Sequence, residues 1–319
     1  MFDYLIGEGM EAVEETLEQV VSTDIETLQD ASVHIITSGG KRIRPRLVLL
    51  SYLACGGKDL ADVYDLAAAV EMVHTATLVH DDINDHSDFR RGKVAVHKKW
   101  GRTFALLAGD FLFTKVYELM APYGNPYNVM MSQACVKLVE GETLQAHAAK
   151  TGEIDREIYK KIIARKTASL FEVSMIMGAA RAGASDEVIE SMREYGYNLG
   201  MAFQLVDDIL DVIGDAEEMG KPVGLDVAQG RGVVVAEGVV NGSGGYTNGA
   251  PAAVAQQLED DDPVKKMMDR MRDSGALELA KMQAAEMGER ARKSLKPLSE
   301  SNIKDALDEL VDMVVDRSK

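Results

Sequence analysis

The chain of 319 residues is short of several things, and each shortage excludes a class of protein. It has two cysteines, Cys55 and Cys135, too few for a disulfide framework or a four-ligand zinc site, which points to a reducing, cytosolic compartment. No apolar run approaches the roughly 18 residues of a membrane span. The longest, Leu47 to Cys55, is broken only by Ser51. The first stretch, Met1 to Val20, is acidic and interrupted by charge, unlike a secretory signal. Positive charge is also short: 35 Lys+Arg stand against 52 Asp+Glu, a net charge of −17. Phosphate backbones are repelled by such a surface at long range, which argues against a nucleic-acid or anionic-membrane binder. A small polyanion as ligand requires a local basic pocket.

Proline is the most informative shortage. There are seven, and the stretches 46–121 and 127–221 contain none. Those stretches are rich in Ala, Leu, Met and Glu, with apolar residues spaced by three and four, as in Leu66, Ala69, Val70 and Val73 or Ile154, Ile158 and Ile162. Alternating strand patterns are nearly absent. The spacing predicts an all-α protein of about ten helices, and 46% hydrophobic residues supply its core. Length alone allows two domains, but one large helical domain over 1–319 is equally admissible. Turn-forming breaks fall at Ser38-Gly39-Gly40, Gly56-Gly57-Lys58, Ser87–Gly92, Pro122–Pro126, Lys150–Asp155 and Gly183–Ser185. Only Gly230–Pro251, with Gly242-Ser243-Gly244-Gly245, has linker-like composition, and it reads as a mobile surface loop.

Two clusters carry the chemistry: Asp81-Asp82-Ile83-Asn84-Asp85 and Asp207-Asp208-Ile209-Leu210-Asp211. Both have the form DDxxD, and at this Asp content chance gives about 0.2 such matches per chain. On a helix the first and fifth residues share a face, where two carboxylates repel unless a cation lies between them. Both clusters follow apolar helical stretches, Ala76–Val79 and Met201–Val206, where unpaired carboxylates are costly. Oxygen-only donors favour a hard cation such as Mg²⁺, which keeps waters and bridges phosphates. The plainer alternative is two solvated acidic helix ends. The neighbours are basic: Arg90 and Arg91 follow the first cluster, Lys221 the second, and Lys41, Arg42, Arg44 and Arg46 form the densest positive run. Beside two metal-type clusters, these point to diphosphates.

In these blocks the chain resembles the trans-isoprenyl (polyprenyl) diphosphate synthases over nearly its whole length. The matching residues are Gly39-Gly40-Lys41-Arg42-Ile43-Arg44-Pro45, His80-Asp81-Asp82-Ile83-Asn84-Asp85 through Arg90-Arg91-Gly92, Lys166-Thr167, Phe203-Gln204-Leu205-Val206-Asp207-Asp208-Ile209-Leu210-Asp211 and Gly220-Lys221-Pro222-Val223-Gly224. The resemblance implies a single all-α bundle around a central cavity, with the aspartate clusters facing each other. It implies Asp81, Asp85 and Asp207 as principal ligands of up to three Mg²⁺, and Asp82, Asp208 and Asp211 acting through water or from behind. Arg90, Lys166, Thr167, Gln204 and Lys221 would hold an allylic diphosphate. Lys41, Arg44, His74 and Arg91 would hold isopentenyl diphosphate. His74 also lies seven residues before Asp81, on almost the same helical face and about 10 Å along the axis. A homodimer is likewise implied.

The reaction so implied breaks an allylic C–O bond as the leaving diphosphate is neutralised, adds the isopentenyl double bond to the cation, and loses a proton. Water has to be excluded, and the Gly-rich 215–245 region reads as a lid. In the family, the residue five positions before the first aspartate often forms the floor of the product pocket. Here it is Ala76, beside Thr77, with Val73 and Ala69 below, all without an aromatic plug. One helical turn, about 5.4 Å, matches roughly one isoprene unit. The expectation is a product beyond C20, in the range C25 to C40; the alternative is a short-chain farnesyl or geranylgeranyl diphosphate synthase. The chain departs from the family at Asp226-Val227-Ala228-Gln229-Gly230-Arg231, where Arg231 replaces a lysine and the following Thr-Leu-Pro is missing. The rivals are a terpene cyclase, which usually lacks a second DDxxD, and a non-catalytic subunit, which typically lacks both.

Overall fold

A computed structural model describes residues 2–153, 155–213 and 275–317. The stretch 215–245 that reads as a lid, Lys221 with its block 220–224, Arg231, Ile154 and the terminal residues 318–319 lie outside the described residues. Among the described residues the chain is helical, as its proline spacing predicts, and no helix is long and apolar enough to cross a membrane. The helices are α1 (Asp3–Val20), α2 (Glu26–Ile36), α3 (Ile43–Ala54), α4 (Tyr64–Asn84), α5 (Val96–Trp100), α6 (Arg102–Met120), α7 (Asn125–Thr151), α8 (Arg156–Ile163), α9 (Ser169–Arg181), α10 (Asp186–Ile213), α11 (Ala276–Ser294) and α12 (Asn302–Val315). A π turn, Ala164–Ala168, joins α8 to α9. One small hairpin, β1 (Phe89–Arg90) and β2 (Lys93–Val94), follows α4.

The described residues form two compact units, the first within Met1–Cys135, Leu170–Arg193 and Pro297–Leu307, the second within Val136–Ser169, Glu194–Lys296 and Asp308–Lys319. In the first unit α3 and α4 are central. Leu47, Val48, Leu49 and Leu50 are consecutive, cover every side of α3, and are all fully buried. The same holds for Ala67 to Val70 of α4. Such helices show little amphipathic bias because neighbours surround them. α1 contributes one stripe, Ile6, Met10, Val13 and Leu17, and α6 another, Ala105, Ala108, Leu112 and Val116. Small residues permit close approach: a Cβ on Gly178 of α9 would strike Val48 O of α3, with Ser51 Cβ at 2.8 Å and Tyr52 N at 2.9 Å.

In the second unit Tyr159 and Ile163 of α8, Ala168, four residues of α10 (Met201, Leu205, Val206, Leu210) and Ala284 of α11 make one buried cluster. Asp155 starts α8 by accepting the Ile158 N–H at 2.7 Å. Arg292 of α11 holds α12 through Asp308 at 2.6 Å and through Asp312.

The hairpin is an element the sequence pattern misses, since two-residue strands show no alternation. Its turn places Arg91 at φ 51° and Gly92 at φ 75°, the two consecutive positive values of a type I′ turn. Its far strand is tied to the end of α2: Lys93 Nζ donates to Thr37 O at 2.9 Å, and His34 Nε2 lies 2.8 Å from Val94 O.

Replacing Gly178 by Ala is expected to destabilise the protein by about 2 kcal/mol in a denaturant melt, because backbone overpacking outweighs the gain in helix propensity.

Candidate active site

The first aspartate cluster occupies the last turn of α4, with Asp85 at the C-cap donating its N–H to Asp81 O at 2.8 Å. This is the negative end of the helix dipole, and the last turn carries no basic residue, so three carboxylates there need positive charge from elsewhere. Arg90 supplies part of it. Its Nε and Nη2 donate to Asp82 Oδ1 at 2.8 and 2.5 Å. Asp82 is buried, which pushes its carboxyl up despite Arg90, with Asp81 and Asp85 adding to the rise. Its second oxygen, Oδ2, is buried with no hydrogen-bond partner among the described residues. Asp81 and Asp85 are only half-buried.

The hairpin turn sends the adjacent Arg91 elsewhere. Its guanidinium donates to Gly39 O, and a Cβ on Gly40, at φ 133°, would lie 2.6 Å from Arg91 Cζ. The glycine pair of the first block is thus a seat for Arg91, and the run 41–46 meets the pair 90–91 in space. His74 senses the meeting: burial, then the charges of Arg44, Arg91, Arg90 and Arg42, hold it well below the ordinary imidazole range. His74 is therefore neutral and offers a hydrogen bond rather than a charge. Arg44 is buried with its guanidinium 5.1 Å from the Phe171 ring centre, while Lys41 is exposed. Ala76 is fully buried on α4, and Thr77 Oγ1 donates to His74 O at 2.7 Å.

The second cluster lies near the end of α10, again without a basic residue in the last turn. Asp208 and Asp211 are buried, and Asp207 is half-buried. Asp208 is gripped on both oxygens: Gln204 Nε2 donates to Oδ1 at 2.8 Å and the Tyr159 hydroxyl donates to Oδ2. Gln204 Oε1 in turn accepts from Thr167 Oγ1 at 2.7 Å. Both ends of the Gln204 amide are therefore engaged in orienting Asp208. Thr167 and Lys166 belong to the π turn, a geometry frequent at functional sites. Gly141 makes room for it, since a Cβ there would lie 2.5 Å from Lys166 N. Lys166 Nζ lies 2.7 Å from Glu142 Oε1 and donates to Gln145 Oε1 at 2.9 Å. Arg317, from the C-terminal end, pairs with Asp207 and lies 4.8 Å from the Phe203 ring centre.

Among the described residues no three His, Cys, Asp or Glu side chains converge as a ready cage for a metal. The donors nevertheless fit a hard cation that takes one or two carboxylates and completes its shell with water and phosphate oxygens. Carboxylates at two negative helix ends, one with an orphaned buried oxygen, fit it in charge as well.

Residues 25–271 match the family described as Polyprenyl synthetase. The chain belongs to that family. It is 37% identical over 311 residues to the short chain isoprenyl diphosphate synthase of Methanothermobacter thermautotrophicus, covering 96% of this chain and 95% of that protein. It is 39% identical over 232 residues to heptaprenyl diphosphate synthase component 2 of Geobacillus stearothermophilus, covering 72% of each. A crystal structure of polyprenyl synthase from Caulobacter crescentus, complexed with calcium and isoprenyl diphosphate, matches with TM-score 0.88 and 32% identity over 99% of this chain and 97% of that one. This polyprenyl synthetase is accordingly a prenyltransferase of isoprenoid diphosphates with the family's all-α fold.

Several residues that hold the sequence-predicted groups in place are not singled out by the sequence. Glu71 is the one with a signal, a lone charge inside the apolar run Leu66–Val73 that needs a buried partner. Tyr159, Glu142 and Gln145 carry none, because each sits at an ordinary helical position. Replacing Tyr159 by Phe removes its hydroxyl hydrogen bond to the buried Asp208 carboxylate, and a denaturant melt is expected to show a loss of about 1–3 kcal/mol.

Proposed function

We propose that this synthase condenses isopentenyl diphosphate with an allylic diphosphate, using Mg²⁺ at both aspartate clusters, and extends the product beyond C20 within one synthase domain. The strongest support is the matching split within the clusters. Asp82, Asp208 and Asp211 are buried, while Asp81, Asp85 and Asp207 retain exposure. The exposed three are the ligands in this reading, and the buried three orient basic groups or the ligands themselves. Bound Mg²⁺ would supply charge neutralisation for the leaving diphosphate as a Lewis acid.

The remaining steps belong to the chain's own residues. Lys41, Arg44 and Arg91 hold the isopentenyl diphosphate by charge, and neutral His74 adds a hydrogen bond. Arg90, aimed by Asp82, and Lys166, held by Glu142 and Gln145, face the allylic diphosphate. Thr167 and Gln204 assist from behind, and Lys221 completes this set. Ionisation of the allylic C–O bond gives a cation, the isopentenyl double bond attacks it, and the departing diphosphate takes the proton released. Each positive charge that holds the diphosphates also lowers the barrier to that ionisation.

Product length is read from α4. Ala69, Val73 and Ala76 form one fully buried stripe below Asp81, and none is aromatic. Relatives are named both as short-chain and as heptaprenyl synthases, and the chain's own stripe supports the longer product in this reading. A second copy of the chain is the proposed partner. α6 carries Phe104, Leu107 and Tyr117, exposed by 49%, 52% and 73%, as an uncovered apolar stripe.

Incubation with labelled isopentenyl diphosphate, each allylic primer and Mg²⁺ is expected to give dephosphorylated products longer than C20. Absence of any elongated product sinks the reaction; a sharp stop at C15 or C20 sinks only the length. Ala76→Phe is expected to shorten the product by at least one isoprene unit, and an unchanged length places the floor elsewhere. Light scattering is expected to give twice the chain mass. A monomer that becomes active only with a second, different chain replaces the homodimer by a heteromer.

A further inference from the structure

Arg42 lies inside the basic run yet takes no part in holding a substrate as described above. It stands at the N-cap of α3 with φ 48°, a left-handed conformation that a non-glycine residue adopts at a cost. Its guanidinium is spent inside the protein. Nε and Nη2 form a two-pronged pair with Glu14 of α1 at 2.6 and 3.0 Å, Nη2 also donates to Ile36 O at the end of α2 at 2.6 Å, and Nη1 donates to Glu71 of α4 at 2.9 Å. With the residue only 7% exposed and its charge matched by two carboxylates, a diphosphate has nothing to reach.

Glu71 is more unusual. It is 1% exposed, its Oε1 accepts from Arg42, and its Oε2 is buried with no hydrogen-bond partner among the described residues. Glu71 is also the strongest attractive charge acting on Arg91, which burial otherwise pushes toward its neutral form. In sequence, Arg42 follows Lys41 and precedes Arg44 by two, and Glu71 precedes His74 by one turn of α4. One ion pair therefore pins the loop that carries Lys41 and the Gly39 carbonyl against the helix that carries His74, and pulls on Arg91 between them.

We propose that Arg42 and Glu71 are positioning residues for the isopentenyl diphosphate half of the site, setting where Lys41, Arg44 and Arg91 stand without touching the substrate. This rests on the proposed function, because it takes those residues as the diphosphate clamp. A buried pair with an orphaned oxygen contributes little to stability compared with an apolar pair of similar volume, so stability alone gives it no reason to exist. Placement of three cations does.

The test compares the full-length wild type, Arg42→Lys and the double variant Arg42→Met with Glu71→Met. Calorimetry measures binding of isopentenyl diphosphate alone, and initial rates with Mg²⁺ give KM for each substrate separately. In Arg42→Lys the charge and stem are kept, but the fork is lost. Its isopentenyl diphosphate Kd and KM are expected to rise about tenfold, while the allylic KM stays within about twofold. The double variant is expected to melt within a few degrees of wild type and to show the same selective loss. Should either folded variant bind isopentenyl diphosphate within about twofold of wild type, the pair is only structural and the inference falls. A parallel rise in both KM values overturns it equally, since that reports general loosening. A wild type that neither elongates nor binds isopentenyl diphosphate instead removes the proposed function, and this inference with it.

Discussion

Negative charge placed at the negative end of a helix is the constraint around which both aspartate clusters are built. Carboxylates belong at helix N-termini, where the dipole and free N–H groups welcome them. Here α4 and α10 each end in a cluster of aspartates with no basic residue in the closing turn. The same local solution appears in both units. One or two aspartates turn inward and are held by hydrogen bonds, Asp82 by Arg90 and Asp208 by Tyr159 and Gln204. The others stay at the surface of the unit, where cations are available. Arg317 on Asp207 shows the second cluster drawing a cation from the chain's own end.

The arginines divide in a corresponding way. Arg42 is neutralised and buried by two glutamates, Arg90 is aimed by one aspartate, and Arg44 leans on an aromatic ring. A protein with a net charge of −17 does not have to be electropositive to attract a diphosphate. Burial first, and then four nearby arginines, hold His74 below the ordinary imidazole range, so the local charge is positive where the distant surface charge is screened beyond about 8–10 Å.

What the sequence shows of all this follows from the range of each signal. Helices are legible because proline is absent and apolar spacing persists over many residues. The aspartate clusters are legible because five consecutive positions carry them. Which aspartate of a pair turns inward is not legible, since Asp81 and Asp82 differ by only one step around the helix and the choice depends on where the hairpin delivers Arg90. The π turn is hidden because Ala164-Arg165-Lys166-Thr167-Ala168 reads as ordinary helix, and only the neighbouring Gly141 makes the wider turn affordable. Arg42 looks like its neighbours Lys41 and Arg44 in sequence and behaves differently only because Glu14 and Glu71, 28 and 29 residues away, reach it.

The hairpin has a mechanical meaning beyond its two strands. Arg90 and Arg91 are consecutive residues on a turn whose backbone is fixed at both positive-φ positions, and their side chains end on different anchors, Asp82 and the Gly39 carbonyl. The turn acts as a ruler of one peptide length. Its two anchors, the Asp82 carboxylate on α4 and the Gly39 carbonyl before α3, are thereby linked to each other through one short turn as well as through the packing of their own helices.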